Sequence, residues 1–375
     1  MDARCIHITG SQAIRLMRAA RKGDVIVAEP TSASHTPGEA LSVGELLNRS
    51  LEPLLQWLGV SPTNPLQLLV PSANERRSLN QVATTSFSHT LCNNALLELR
   101  TGNDPEQRVV IPSSVRVLID APPLALTWAS ANMVKRIRMR TADELEATLR
   151  LIELASEFCG SYARDASDPR SGACFFDKPN HERPFAHLNE LQESLHAMHG
   201  ANGLRLARKV AGHAIDGSGS PMETYLNLAL TLPPRLAGVS MARPLANHQL
   251  VVDEDIRPLI DHKSLRPDLQ WPDYNTLAEF LGDESHASKS ARVEDKNRIK
   301  DYVTAQYAPI ILMFDDVRNQ TALNQTIQAI ARELMRNGKR GELYRVSRIL
   351  EDKSFLARQQ TLIKTLLPPI TRYDG

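Results

Sequence analysis

Residues 266–300 read RPDLQWPDYNTLAEFLGDESHASKSARVEDKNRIK, and no other stretch sets so many candidate metal ligands and phosphate binders in so little sequence. Pro267-Asp268 opens it. Residues 264–280 predict two strands joined by a turn at Trp271-Pro272-Asp273-Tyr274-Asn275, because apolar runs flank a cluster of turn formers. The second strand, Leu277-Ala278-Glu279-Phe280-Leu281, carries one acid and stops at Gly282. Its alternation places Glu279 with Leu281 on one face and Ala278 with Phe280 on the other. His286 follows, then a charged segment containing Asp295, Lys296 and Arg298.

Working outward, residues 292–306 predict a helix, 309–314 a fully apolar strand and 323–337 an amphipathic helix. Upstream, Ser220 suits an N-cap and Pro221 the first position of a helix over 221–232, which puts Glu223 in its first turn. Helix, hairpin, helix, strand, helix is a mixed α/β order. Such an order can bring Glu223, Asp268 and Glu279 together from three elements. Metal-assisted hydrolysis of a phosphodiester needs two or three hard oxygen ligands near the phosphate; the ion then acidifies a bound water and offsets the developing charge.

In the order S-P-M-E-T, R-P-D-L, A-E-F-L-G, H and E-D-K-N-R, these residues resemble the PD-(D/E)XK nuclease superfamily. The similarity is to the branch that includes very-short-patch mismatch repair endonucleases, and it covers roughly residues 204–337. It implies a restriction-endonuclease-like mixed sheet flanked by helices. It further implies DNA as substrate, a role in defence or DNA repair, and Mg²⁺ or Mn²⁺ held by Asp268, Glu279 and Glu223. By the same resemblance His286, Asp295 and Arg298 would support the ligands or contact phosphate, and Lys296 is expected to join Arg298 in holding the scissile or a neighbouring phosphate. The chain departs from the pattern at one position. Two residues after the glutamate the family carries Lys or, in this branch, Asp; here stands Leu281. Asp283, Glu223 or Lys296 would have to compensate, or the fold is a degenerate nuclease acting as a nucleic-acid-binding, antitoxin-like regulator.

Each residue also has a plainer reading. Glu223 suits the positive end of a helix dipole, and His286 beside serines suits a loop. The 289–300 run suits a solvated helix face as well as a phosphate contact. Asp273 belongs to the turn, and Trp271 and Phe280 to a core.

The N-terminal half more loosely resembles the accessory region of abortive-infection antitoxin proteins, and would offer a surface for a protein partner. It predicts helices at 11–22 and 43–57 and extended segments at 24–28, 66–70, 95–99, 109–111 and 115–119. A helix over 124–133 is expected after Pro122-Pro123, and a long one over 141–162. Polar residues at 163–184 suit a linker, helices are expected at 185–199 and 204–215, and a strand at 250–252. The expected layout is a smaller α/β domain over 1–165, a linker and helix over 166–200, the nuclease-like domain over 201–340 and a helical tail over 341–375.

A chain of 375 residues that is 42% hydrophobic is long enough for two cores. A net charge of +1 supplies no global attraction for nucleic acid, so any such contact must be local. The four cysteines lack C-x-x-C spacing, which argues against a zinc site and suits reduced thiols. Without an apolar leader or spanning run, the expectation is a cytoplasmic protein without a membrane partner.

Overall fold

The computed structural model describes residues 4–28, 39, 41–79, 81–86, 95–101, 109–165, 185–281 and 289–367. The chain forms two compact units, one of residues 1–143 and 174–214, the other of 144–173 and 215–375.

In the first unit, β1 (Arg4–Ile8), α1 (Gly10–Arg21) and β2 (Ile26–Ala28) lead into α2 (Val43–Leu47) and α3 (Glu52–Trp57). There follow β3 (Leu66–Val70), β4 (Ser78–Leu79), β5 (Val82–Ser86), β6 (Leu96–Arg100), β7 (Val115–Asp120) and α4 (Pro122–Arg138). The seven strands form one mixed sheet in the order β2-β6-β7-β1-β3-β5-β4. Parallel β1 and β7 lie side by side, with Ile6 opposite Val117 and Ile8 opposite Ile119. All four side chains are buried. Asp120, at the end of β7, accepts from Thr9 Oγ1 (2.6 Å) and from the Gly10 amide (2.8 Å), so it anchors the β1–α1 turn.

The helix expected over 43–57 is two helices. Ser42 and Glu45 form a capping box at the start of α2. Ser50 then takes a left-handed conformation (φ 62°), and Pro53 in the first turn of α3 lets the helix restart where no amide partner is needed. For the same reason Pro122-Pro123 begins α4 instead of standing before it. Residues 109–111 are not a strand, although Val109 and Ile111 are buried.

The next helix, α5 (Glu144–Cys159), belongs to the second unit, whereas α6 (Leu188–Ala197) and α7 (Leu204–Ala211) return to the first. This differs from the sequential layout expected above. The cause is packing. Helix α7 lies against α4 and α6, and Arg208 donates to the carbonyls of Leu195 (2.9 Å) and Met198 (2.6 Å). The first unit carries the larger sheet. The expected linker residues 166–184 lie outside the described residues.

The second unit continues with α8 (Pro221–Thr231), β8 (Leu245–Ala246), β9 (Leu269–Trp271) and β10 (Thr276–Phe280). Then come α9 (Lys289–Thr304), β11 (Ala308–Leu312), α10 (Gln320–Arg336), α11 (Glu342–Leu350) and α12 (Lys353–Leu366). Its sheet is β11-β10-β9-β8. Strands β9 and β10 are antiparallel, joined by a 3₁₀ turn at Pro272–Tyr274 and a left-handed Asn275. Strand β11 returns parallel to β10 after α9, the crossover that parallel pairing requires. Helix α10 buries Leu323, Ile327, Ile330, Ala331 and Leu334, an i, i+3/i+4 stripe. Helix α12 packs on α5 and α8 through a face that includes Phe355 and Leu362, so the tail is part of the core. The strand expected at 250–252 is irregular; the edge strand is β8 instead.

Both units are thus mixed α/β. Among the described residues, no helix is long and apolar enough to cross a membrane.

Candidate functional site

The site grows from the ends of three elements in the second unit. Ser220 caps α8 by accepting the Glu223 amide at 3.2 Å. Glu223 folds back, and its Oε2 accepts from the Gly219 amide at 2.7 Å and from Asn247 Nδ2. The helix-terminus role expected of Glu223 is therefore real. The side chain is nonetheless buried (6% exposed) and turned into the protein. Gly219 gives this turn a close fit, since a Cβ there would lie 3.2 Å from Glu223 Oε1 and 3.3 Å from Asn247 Nδ2 and would make both side chains give slightly.

Asp268 stands immediately before β9. The register pairs Leu269 with Ala278, which sets Asp268 opposite Glu279. The Asp268 amide donates to Glu279 Oε2 at 3.2 Å, and the Phe280 amide donates to Asp268 Oδ2 at 2.6 Å. Helix α9 adds Tyr302, whose hydroxyl donates to Glu279 Oε2 at 3.2 Å, and Arg298, whose Nε lies 3.0 Å from Glu279 Oε1. That Nε contact is an ion pair without the alignment of a hydrogen bond. The other arm of Arg298 donates to Asp295 Oδ1 at 2.6 Å.

The three acids sense one another's charge. Burial pushes the Asp268 carboxyl well above the usual range, and the charges of Glu223 and Glu279 add to the rise against the Phe280 amide and Arg298. Asp268 keeps some exposed surface, yet its carboxyl is enclosed densely enough for desolvation to lead. Glu223 is pushed up to about 7 by burial, with the Gly219, Ser220 and Asn247 hydrogen bonds opposing and Glu279 contributing. Glu279 is raised by burial, opposed first by Arg298 and then by the Asp268 amide and Tyr302. Three buried carboxylates with one guanidinium leave an excess of negative charge, which only protons or a further cation can offset.

The donor set is of hard oxygens, as Mg²⁺ or Mn²⁺ requires. Among the described residues no hydrogen bond reaches Glu223 Oε1 or Asp268 Oδ1, whereas both oxygens of Glu279 are engaged. Among the described residues no group of three or more His, Cys, Asp and Glu side chains is placed to hold a metal ion. The acids form an electrostatically linked group and not a preset chelate.

The other expected residues divide. Arg298 and Asp295 join the cluster. Lys296 is exposed, on a face of α9 about 160° from Arg298, so it does not supply the missing ammonium. Leu281 extends the ladder by donating its amide to Leu312 at 2.9 Å, so hydrocarbon follows Glu279 along the strand. His286, Gly282 and Asp283 lie outside the described residues, as do Cys92 and Cys174. Trp271 is core, its Nε1 donating to the Ala242 carbonyl at 2.7 Å. Sequence reasoning missed Asn247, Gly219 and Tyr302. Only Tyr302 left a trace, four residues after Arg298 on the same helix face.

No protein-family model matches the chain, and none of the curated proteins or solved structures compared with it matches either.

Proposed function

We propose that the second unit is a metal-dependent DNA endonuclease domain of the PD-(D/E)XK kind. The observation that carries this reading is the pairing of Asp268 with Glu279 across the β9–β10 register, with Glu223 at the end of α8 near enough for its charge to raise the Asp268 pKa. A bound Mg²⁺ or Mn²⁺ would supply an activated water and charge neutralisation at the phosphate. Asp268 and Glu279 would hold the ion, with Glu223 assisting. Arg298, poised between Glu279 and Asp295, would pair with the scissile or a neighbouring phosphate, where a guanidinium makes two parallel hydrogen bonds. Lys296, exposed on α9, would touch the DNA backbone farther out.

The test is divalent-dependent nicking of plasmid by the full chain and by Asp268→Ala. Cleavage in Mg²⁺ or Mn²⁺ by the first and not the second supports the reading. Absence of cleavage by the wild type on plasmid, linear and single-stranded DNA removes it.

A second reading is favoured by two specific features: Leu281 stands two residues after Glu279, and Glu279 already has Arg298 as an ion partner. A catalytically degenerate domain that binds nucleic acid as an antitoxin-like regulator would bind DNA without divalent ions. Its affinity would fall with salt and on charge reversal of Lys296 and Arg298.

A further inference from the structure

The segment between β8 and β9, residues 247–268, starts and finishes at the acid cluster. Asn247 donates to Glu223, and its amide meets the Asp268 carbonyl at 3.2 Å. Midway, Leu250, Ile260 and Leu265 pack with Leu277 of β10, with Tyr302 of α9 and with Ala305 just after that helix. Beside this patch His262 uses both ring nitrogens on α9. Its Nδ1 lies 2.6 Å from Asp301 Oδ2, which also accepts the His262 amide at 2.9 Å, and its Nε2 lies 2.8 Å from Glu294 Oε1. Asp301 is fully buried, whereas the Glu294 side chain is 64% exposed. Seven residues separate the two acids, two helical turns, so the imidazole lies along the helix axis.

We propose that His262 is a positioning residue, a proton-dependent latch that fastens the 247–268 segment to α9 and so sets Arg298 and Tyr302 against Glu279. Only the imidazolium donates from both nitrogens, and both face carboxylates. The hydrogen bond to Asp301 raises the His262 pKa above the ordinary value, with partial burial opposing and Glu294 adding to the rise. Glu294, Arg298, Asp301 and Tyr302 fall within about 100° of arc on α9, so the latch and the contacts to Glu279 share one side of a stiff rod. Among the described residues, further charged groups on the same segment and helix are Asp261, with Lys300 Nζ at 3.9 Å, and Lys263, whose carbonyl accepts from Arg257. From β10 the apolar cluster takes only Leu277. Loss of the proton leaves one carboxylate facing a lone pair, and the exposed Glu294 arm releases first.

The latch goes beyond the nuclease reading, and its test uses neither metal nor DNA. In the full chain, labelled in histidine and backbone nitrogen, a pH titration by NMR follows the His262 ring and the amides of Glu279, Arg298 and Tyr302. The expected result is a His262 midpoint above that of free histidine, with the three amides moving at the same midpoint. Glu294→Gln, a surface change, is expected to lower that midpoint, and His262→Gln to abolish the shared transition. The proposal is overturned by amides that ignore the His262 titration, or by an unaltered midpoint in Glu294→Gln. The second test stands even where His262→Gln does not fold.

Discussion

The amide of Asp268 donates to the side chain of Glu279, and the amide beyond Glu279 donates back to the side chain of Asp268. Two acids that repel are thereby held face to face by the backbone of their own strands. Replacing the charge without the shape separates these effects. Asparagine keeps an acceptor for the Phe280 amide, so Asp268→Asn in EDTA at pH 8 is expected to gain about 1–2 kcal/mol of stability by removing a buried like charge. A urea midpoint measures it. Addition of Mn²⁺ should then stabilise the wild type but not the variant.

The pH dependence has a definite sign. Glu223 is raised from an ordinary 4.5 to about 7, so between those values the folded chain holds a proton that the unfolded chain has lost. Its contribution is full below 4.5 and is lost as pH rises through 7. Glu223→Gln should flatten the decline, by on the order of 1–3 kcal/mol across that window. Denaturation midpoints at pH 5, 6, 7 and 8 give the comparison, and Mg²⁺ or Mn²⁺ should narrow it from the alkaline side.

The two cations of α9 should behave differently. Lys296→Glu, on an exposed face, is expected to change stability by less than about 0.5 kcal/mol. It should weaken DNA binding evenly across sequences and reduce the salt slope by about 1. Arg298→Gln removes the ion partner of buried Glu279. Because the Arg298 side chain is 33% exposed, water screens part of the pair, and a cost of about 1–2 kcal/mol is expected. Salt titrations of binding and unfolding curves on the same two variants check both expectations.

Ser220 tests how firmly the end of α8 holds Glu223. Ser220→Ala removes the acceptor for the Glu223 amide and should cost about 1 kcal/mol. Any divalent-ion affinity should fall with it, read by isothermal titration with Mn²⁺.

Much of the second unit is legible from local chemistry. The N-cap Ser220-Pro221, the turn formers at 271–275, the apolar strand Ala308–Leu312 and the stripe of α10 are short-range signals, and they set the order of elements. What escaped was long-range. Helix α5 is grouped with α8 and α12, up to two hundred residues downstream, and no periodicity within α5 announces those partners. Asn247 meets Glu223 across 24 residues from an irregular stretch, and His262 meets Glu294 and Asp301 across 32 and 39. The break between α2 and α3 turns on one left-handed serine, a residue type with no strong preference for that conformation. Lys296 and Arg298 look interchangeable in a charged run; helical rotation sends one to solvent and the other to Glu279.

Strand β10 is paired on both edges, antiparallel to β9 and parallel to β11. A single inserted residue in it would turn every side chain to the opposite face, exchanging Glu279 with Ala278 and pulling Asp268 out of line with both. The stretch at 253–259, a turn and a short 3₁₀ helix outside the sheet, has no such double constraint. Relatives of this chain should therefore differ in length before β9 while the spacing from Asp268 to Glu279 stays fixed, a signature readable from sequence lengths alone.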